Sequence, residues 1–174
     1  MSHFLATCSL LNRFYYRYFR AIVLALSSPP FYTDEVRLPH DTDPVPPQIC
    51  MNPKLFPFFQ DAIGAIDGTH ITCSPSVQEQ AAARNRKGLL TQDCLIACSF
   101  DMLFTYVLSG WEGSAADALI FHNARRSDFP VLNGKYYLAD AGFPHCPELL
   151  VPYRGVRYHL AEWGRATVRY VSNK

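Results

Sequence analysis

Apolar and polar positions alternate along this chain in runs short enough to read one element at a time. From about Ala62 to Cys73 an apolar, β-branched run predicts a buried strand, although Asp67 stands in its middle. Two further runs, Cys94 to Phe100 and Phe104 to Trp111, are rich in β-branched and aromatic residues. Asp101-Met102-Leu103 between them is of hairpin length, which predicts an antiparallel pair. Asn133-Gly134 makes a turn into a fourth strand, Lys135 to Asp140. Helical spacing appears at the start, where Leu11, Tyr15, Tyr18, Ile22 and Leu26 recur at three- and four-residue steps. Arg13, Arg17 and Arg20 share the other face, so residues 5–26 are expected to form an amphipathic helix. That face is either a solvated side of a packing helix or a contact for a DNA backbone. Ser76-Val77-Gln78-Glu79 has capping-box spacing and predicts a short helix over 78–83. Ser114-Ala115-Ala116-Asp117 is a second such box, opening a helix to about Arg125.

Between the first helix and the first strand the pattern breaks. Ser27-Ser28-Pro29-Pro30 stops the helix, because proline lacks the amide and clashes with the preceding turn. Prolines recur to Pro57, which predicts an extended linker lying along the domain or hanging free. Leu55, Phe56, Phe58 and Phe59 are expected to plug the core. The resulting division is an amphipathic helix over 1–28, a proline-rich linker over 29–57 and a folded domain over 58–174.

The acids give the pattern its chemistry. A carboxylate in an apolar strand must find a donor, a cation or a metal. Tyr136 to Phe143 repeats the arrangement around Asp67: a short apolar run, then Asp140, then glycine. Two strand-borne aspartates suggest a metal site across a sheet, of the oxygen-only kind that Mg²⁺ or Mn²⁺ prefers. Strand, strand, strand, helix, strand, with one acid in the first strand and one ending the fourth, is the layout of a ribonuclease-H-like mixed α/β sheet. Asp117 has two readings, the third-position carboxylate of a helix cap or a supporting acid at the site.

Composition narrows the options. The 49% hydrophobic content and 14% aromatics of the 174 residues indicate a globular fold with a real core. A net charge of +1 does not announce a nucleic-acid binder, so local clusters must carry that reading. Arg84-Asn85-Arg86-Lys87-Gly88 is cationic without an acid, and serves as a solvated loop or as a phosphate clamp. After Asp140, Arg154, Arg157, Arg165, Arg169 and Lys174 are interleaved with Tyr153, Tyr158, Trp163 and Tyr170, a mixture suited to phosphates and stacked bases. The six cysteines lack disulfide-framework spacing and read as reduced thiols. No apolar run approaches the roughly 20 residues of a membrane span, and the N-terminal charges are in the wrong order for a signal peptide. The expectation is a soluble intracellular protein.

Several motifs in order resemble one family. Gly64-Ala65-Ile66-Asp67-Gly68-Thr69-His70-Ile71, Arg84 to Gly88, Gly110-Trp111-Glu112-Gly113-Ser114 with Asp117, and Leu138 to Pro144 resemble the DDE endonuclease domain of PIF/Harbinger-type transposases. Pro152 to Leu160 extends the likeness. The resemblance implies a ribonuclease-H-like fold, dependence on divalent Mg or Mn, action on DNA and a nuclear location. It makes Asp67 and Asp140 the first two catalytic, metal-binding aspartates, with Asp117 and His70 in support. DNA contacts fall to Arg84, Arg86, Lys87, Arg154 and Arg157. The family's third acid is a glutamate in a later helix, in a segment resembling Asn-x-x-Glu-Arg-x-Phe-Gly that does not occur before Lys174. Glu162 precedes that segment and is not its match. The expectation is therefore a domain incomplete at its C-terminus, with a fifth strand lying beyond Lys174 and an impaired active site. A helix-turn-helix region is absent or reduced to the first helix, so a DNA-binding partner protein is expected to supply that function. The alternative is a catalytically inactive, domesticated module that binds DNA or protein.

Overall fold

The computed structural model describes residues 2–155, with residues 2–12 as helix backbone alone. In chain order the elements are α1 (Ser2–Leu26), α2 (Phe31–Glu35), α3 (Pro47–Cys50), β1 (Ala62–Thr72), β2 (Thr91–Cys98), β3 (Phe104–Glu112), α4 (Asp117–Ser127), β4 (Tyr136–Leu138) and β5 (Leu149–Leu150). The strands make one mixed five-stranded sheet in the order β3-β2-β1-β4-β5, an α/β architecture. β1 is the central strand, antiparallel to β2 and parallel to β4. The β2–β3 hairpin is antiparallel, as its short connection predicts.

One face of the sheet holds the core. Ile66 of β1, Leu95 and Ala97 of β2, Tyr106 of β3 and Tyr137 of β4 meet Ile120, Phe121 and Ala124 of α4 there. The helix shows one stripe because positions three and four residues apart share a face, as Phe121 and Ile120 do with Ala124. Phe129 is at the centre of this layer, its ring 4.4 Å from Tyr106 and 5.3 Å from Tyr137. Burying such rings is the main source of stability in the fold.

Five expectations change. The fifth strand lies within the chain: Leu149 and Leu150 pair in parallel with Tyr137 and Leu138 of β4. Two residues between Pro147 and Pro152 are too few to show periodicity in sequence. Residues 77–83 form turns, not a helix. The capping contact does form, Ser76 Oγ donating to Glu79 at 2.7 Å. Only one turn follows before the Thr91 amide claims the Ala83 carbonyl at 2.8 Å and draws the chain into a hairpin. Phe56 and Phe58 are exposed, the latter 78%, and do not plug the core. The turns of that stretch bond Phe56 N to Asn52 O and Phe59 N to Leu55 O, which leaves Leu55 and Phe59 on the half-buried side. Residues 13–26 of α1 are exposed all round, so the expected packing face covers nothing in the described residues. The helix at Asp117 also starts differently, with consequences for the site.

The proline-rich segment lies along the domain. Ile49 is fully buried, Leu38 packs on the core, and Gln48 Nε2 donates to Asp101 at 2.6 Å.

Candidate active site

The parallel pairing of β1 and β4 ends with Ala65 beside Leu138. Asp67 lies two residues past that pairing on β1, and Asp140 lies two residues past it in the loop that leaves β4. Both are exposed, and each uses one carboxylate oxygen to accept a backbone amide just ahead. Gly68 N donates to Asp67 Oδ1 at 2.8 Å and Gly142 N to Asp140 Oδ1 at 2.7 Å. The exposure of Asp67 corrects its reading as a buried carboxylate. Strand pleating turns it away from Ile66 and the core, onto the opposite face.

The loop after Asp140 is fixed from two sides. Phe143 is fully buried and stacks edge-on against Phe121, with ring centroids 6.2 Å apart. Arg154 donates from Nε to Ala141 O at 3.0 Å and from Nη2 to Phe143 O at 3.3 Å. An arginine expected to meet DNA thus also holds the loop that carries Asp140.

Asp117 does not cap its helix. α4 begins at Asp117 itself, Ala116 is its extended N-cap, and no side chain caps it. Ser114, the expected cap, donates its amide to Ala82 O at 3.1 Å instead, so the box never closes. The Asp117 carboxylate lies between the glycines that follow the two strand aspartates. A Cβ on Gly68 would collide with Asp117 Oδ1, and one on Gly142 would sit 3.2 Å from Oδ2. Burial raises the Asp117 pKa, and the Asp140 and Asp67 carboxylates raise it further, partly offset by His70 and Arg86. The glycines in Asp67-Gly68 and Asp140-Ala141-Gly142 are there to admit this third carboxylate.

The sequence reading passed over Asp93. It is 1% exposed, and neither carboxylate oxygen has a hydrogen-bond partner among the described residues. It faces His70 of β1 on one side and Trp111 of β3 on the other. Its Oδ1 lies 3.6 Å from where a Gly68 Cβ would stand, the same point that Asp117 occupies. Burial pushes its pKa up; His70 and the nearby Cys94 amide oppose this, while Asp117 and Asp67 add to it. Starting the second strand at Cys94 hid this residue. The alternation Thr91, Asp93, Leu95, Ala97 was the available signal.

A pH dependence follows for the metal-free chain. Folding raises both carboxyl pKa values above 3.8, so the folded form keeps protons that the unfolded form releases. The stability this gives is present at acid pH and is lost as pH rises from 3.8 through the raised values. In chelator, Asp93→Asn is expected to raise the urea midpoint more at pH 7 than at pH 4.5. Equal shifts at both pH values would contradict an ionised, unpaired Asp93.

The cations divide by task. Arg84 Nη1 donates to Gly88 O at 2.9 Å, and Asn85 Oδ1 accepts the Lys87 and Leu89 amides, so both shape their own loop. Gly88, at φ +80, makes the tight turn. Arg86 and Lys87 are exposed, and Arg86 is near enough to influence Asp117. Exposed His70 keeps Nδ1 3.3 Å from Thr91 Oγ1. Arg157, like the other cations after residue 155, lies outside the described residues.

The donor set fits a hard divalent cation, since Asp67, Asp117 and Asp140 offer only oxygen and Gly68 and Gly142 leave room beside them. Among the described residues, no three His, Cys, Asp or Glu side chains converge closely enough to grip an ion as they stand.

Residues 66–169 match the family of DDE superfamily endonucleases. The chain belongs to that family. The matched region contains Asp67, Asp93, Asp117 and Asp140. Among curated relatives, the chain is 28% identical over 111 residues to HARBI1 of Rattus norvegicus, a protein named as a candidate nuclease. The alignment takes in 57% of this chain and 32% of the relative, so the chain spans about a third of that protein's length. No solved structure matches. Among the described residues, no helix is long and apolar enough to cross a membrane.

Proposed function

We propose that this endonuclease-family domain acts on DNA phosphodiesters with a divalent cation, Mg²⁺ or Mn²⁺, held by Asp67 and Asp140. The observation that supports the reading is the Asp117 carboxylate lying against both Gly68, which follows Asp67, and Gly142, in the loop of Asp140. A bound cation would activate water and stabilise the leaving oxygen of the phosphodiester. The chain's own contribution is positional. The Gly68 and Gly142 amides orient one oxygen of each aspartate, and Arg154 with Phe143 fixes the Asp140 loop. Asp117 lies close enough to feel the charge of both, which would give the site a third carboxylate apart from the later glutamate that the family resemblance implies.

Arg86 and Lys87 are the proposed phosphate contacts beside the acids, with Arg157 a further one. Arg154 combines that role with positioning. Arg86→Ala is expected to reduce the salt dependence of DNA binding by about one unit in log K against log salt. Arg154→Ala is expected to lower the nicking rate about tenfold while changing that slope less. Fluorescence anisotropy across a salt series, run beside a nicking assay, separates the two. The nuclease reading itself is tested by nicking of supercoiled plasmid in Mn²⁺, with and without chelator.

A second reading is a catalytically inactive module that binds DNA or protein, for which the exposed Arg86 and Lys87 would serve without a metal. In that case DNA binding is salt-sensitive and indifferent to both chelator and Asp67→Asn. A nuclear location and a partner protein supplying a helix-turn-helix complete the proposal, and they rest on the family resemblance.

A further inference from the structure

We infer that Asp93 and Asp117 form a second, buried cation subsite, behind the strand aspartates and centred over Gly68. It takes a single hard divalent cation such as Mg²⁺ or Mn²⁺. The inference rests on the metal-dependent reading of the Asp67 and Asp140 pair, adds Asp93 to it and shares Asp117 with it.

Asp93 is the most anomalous side chain among the described residues. It is fully buried, and both of its oxygens lack a hydrogen bond among the described residues. Buried polar groups are nearly always paired, and an isolated buried carboxylate is costly enough that a partner is expected. Its strand neighbours do not supply one. Trp111 offers an indole and His70 an imidazole already near Thr91 Oγ1, and neither bonds to it.

The geometry indicates what is missing. Asp93 Oδ1 and Asp117 Oδ1 approach the same point, the place a Cβ on residue 68 would take. Two carboxylates aimed at one position repel each other unless a cation lies between them. Any residue but glycine at 68 would fill the gap. Oxygen is the only donor type there, which selects a hard cation over zinc or copper. Mg²⁺ and Mn²⁺ are commonly held by only one or two carboxylates, with water in the other positions, so a two-carboxylate subsite is sufficient. It is also compatible with the lack of a three-ligand group.

The subsite has a structural consequence that the front pair lacks. Asp93 belongs to β2, Gly68 to β1 and Asp117 to the first turn of α4. A cation there ties the hairpin, the central strand and the helix together, so its binding must appear as folding stability.

The test uses the 174-residue chain and Mn²⁺ alone, with bound ion counted by loss of the free Mn²⁺ spin-resonance signal and stability followed by thermal denaturation. The Asp67→Asn/Asp140→Asn double variant is expected to keep one Mn²⁺ equivalent and a melting rise of about 5 °C at hundredfold excess over Kd. Asp93→Asn is expected to lose that rise and to weaken Mn²⁺ binding at this subsite at least tenfold, while melting no lower than the parent chain in chelator. Gly68→Ala, which removes no carboxylate but puts a methyl group against Asp117 Oδ1, is expected to lose the same equivalent. No bound Mn²⁺ in the double variant, or an undiminished melting rise in Asp93→Asn, overturns the subsite. Should Asp93→Asn fail to fold, the ion count on the double variant still decides. Plasmid nicking that is equal in Asp67→Asn and the parent chain refutes the nuclease reading instead, and leaves the subsite result standing.

Discussion

Asp67→Asn is expected to reduce Mn²⁺-dependent plasmid nicking by a hundredfold to a thousandfold or more, with little change in stability. The magnitude follows from the charge stabilisation that a held metal contributes at a phosphoryl oxygen, several kcal/mol at about 1.4 kcal/mol per tenfold in rate. The small stability effect follows from location. Asp67 is exposed and its one hydrogen bond is to the amide of the next residue, a local contact that an asparagine carbonyl can also accept. Loss of activity without loss of fold is the signature of a catalytic acid. Circular dichroism and a melting curve beside the nicking assay separate the two effects. Equal rates in Asp67→Asn and the parent chain would remove Asp67 from the mechanism, and would favour the binding-module reading.

Phe129→Ala is expected to destabilise the domain by about 4 kcal/mol, the usual range for removing a fully buried aromatic. Phe129 has no exposed surface and its ring lies against Tyr106, Phe121 and Tyr137, which come from β3, α4 and β4. Removing it opens a cavity where three elements meet and leaves their rings without partners. Stabilities of single domains are of order 5–15 kcal/mol, so much of the folded margin would disappear. The measurement is the urea midpoint, expected to fall by more than about 1 M. A shift below about 0.3 M would mean that the aromatic layer is not the centre of the core.

These two residues differ in how plainly the sequence announces them. Asp67 is visible because a charge interrupts an apolar run, and Asp140 because its surroundings repeat that arrangement. The four long-patterned elements β1, β2, β3 and α4 are likewise legible, to within about three residues at their ends, since alternation and helical spacing are properties of neighbouring positions. β5 was not legible. A two-residue strand has no period, and it exists because β4 offers it a free edge. The capping boxes mislead for a related reason. Ser76 closes its box but the hairpin takes the chain away, whereas Ser114 is bonded to Ala82 and its box never forms. Local chemistry proposes a helix start, and a long-range hydrogen bond can override it.

The sequence by itself determined the strand-and-helix order, the pair of strand aspartates and the resemblance that the family match supports, because each depends on residues close together along the chain. Only the tertiary structure decided how exposed each carboxylate is and which groups it lies against. Asp67 moves from the expected interior to an exposed face, while Asp93 takes the buried place without a partner. Asp117 changes from a helix cap to the acid between two glycines. The physical reason is that strand register and helix docking, set by burial of the aromatic core, place residues distant in sequence against one another. A change of one residue in register would turn each strand side chain to the other face.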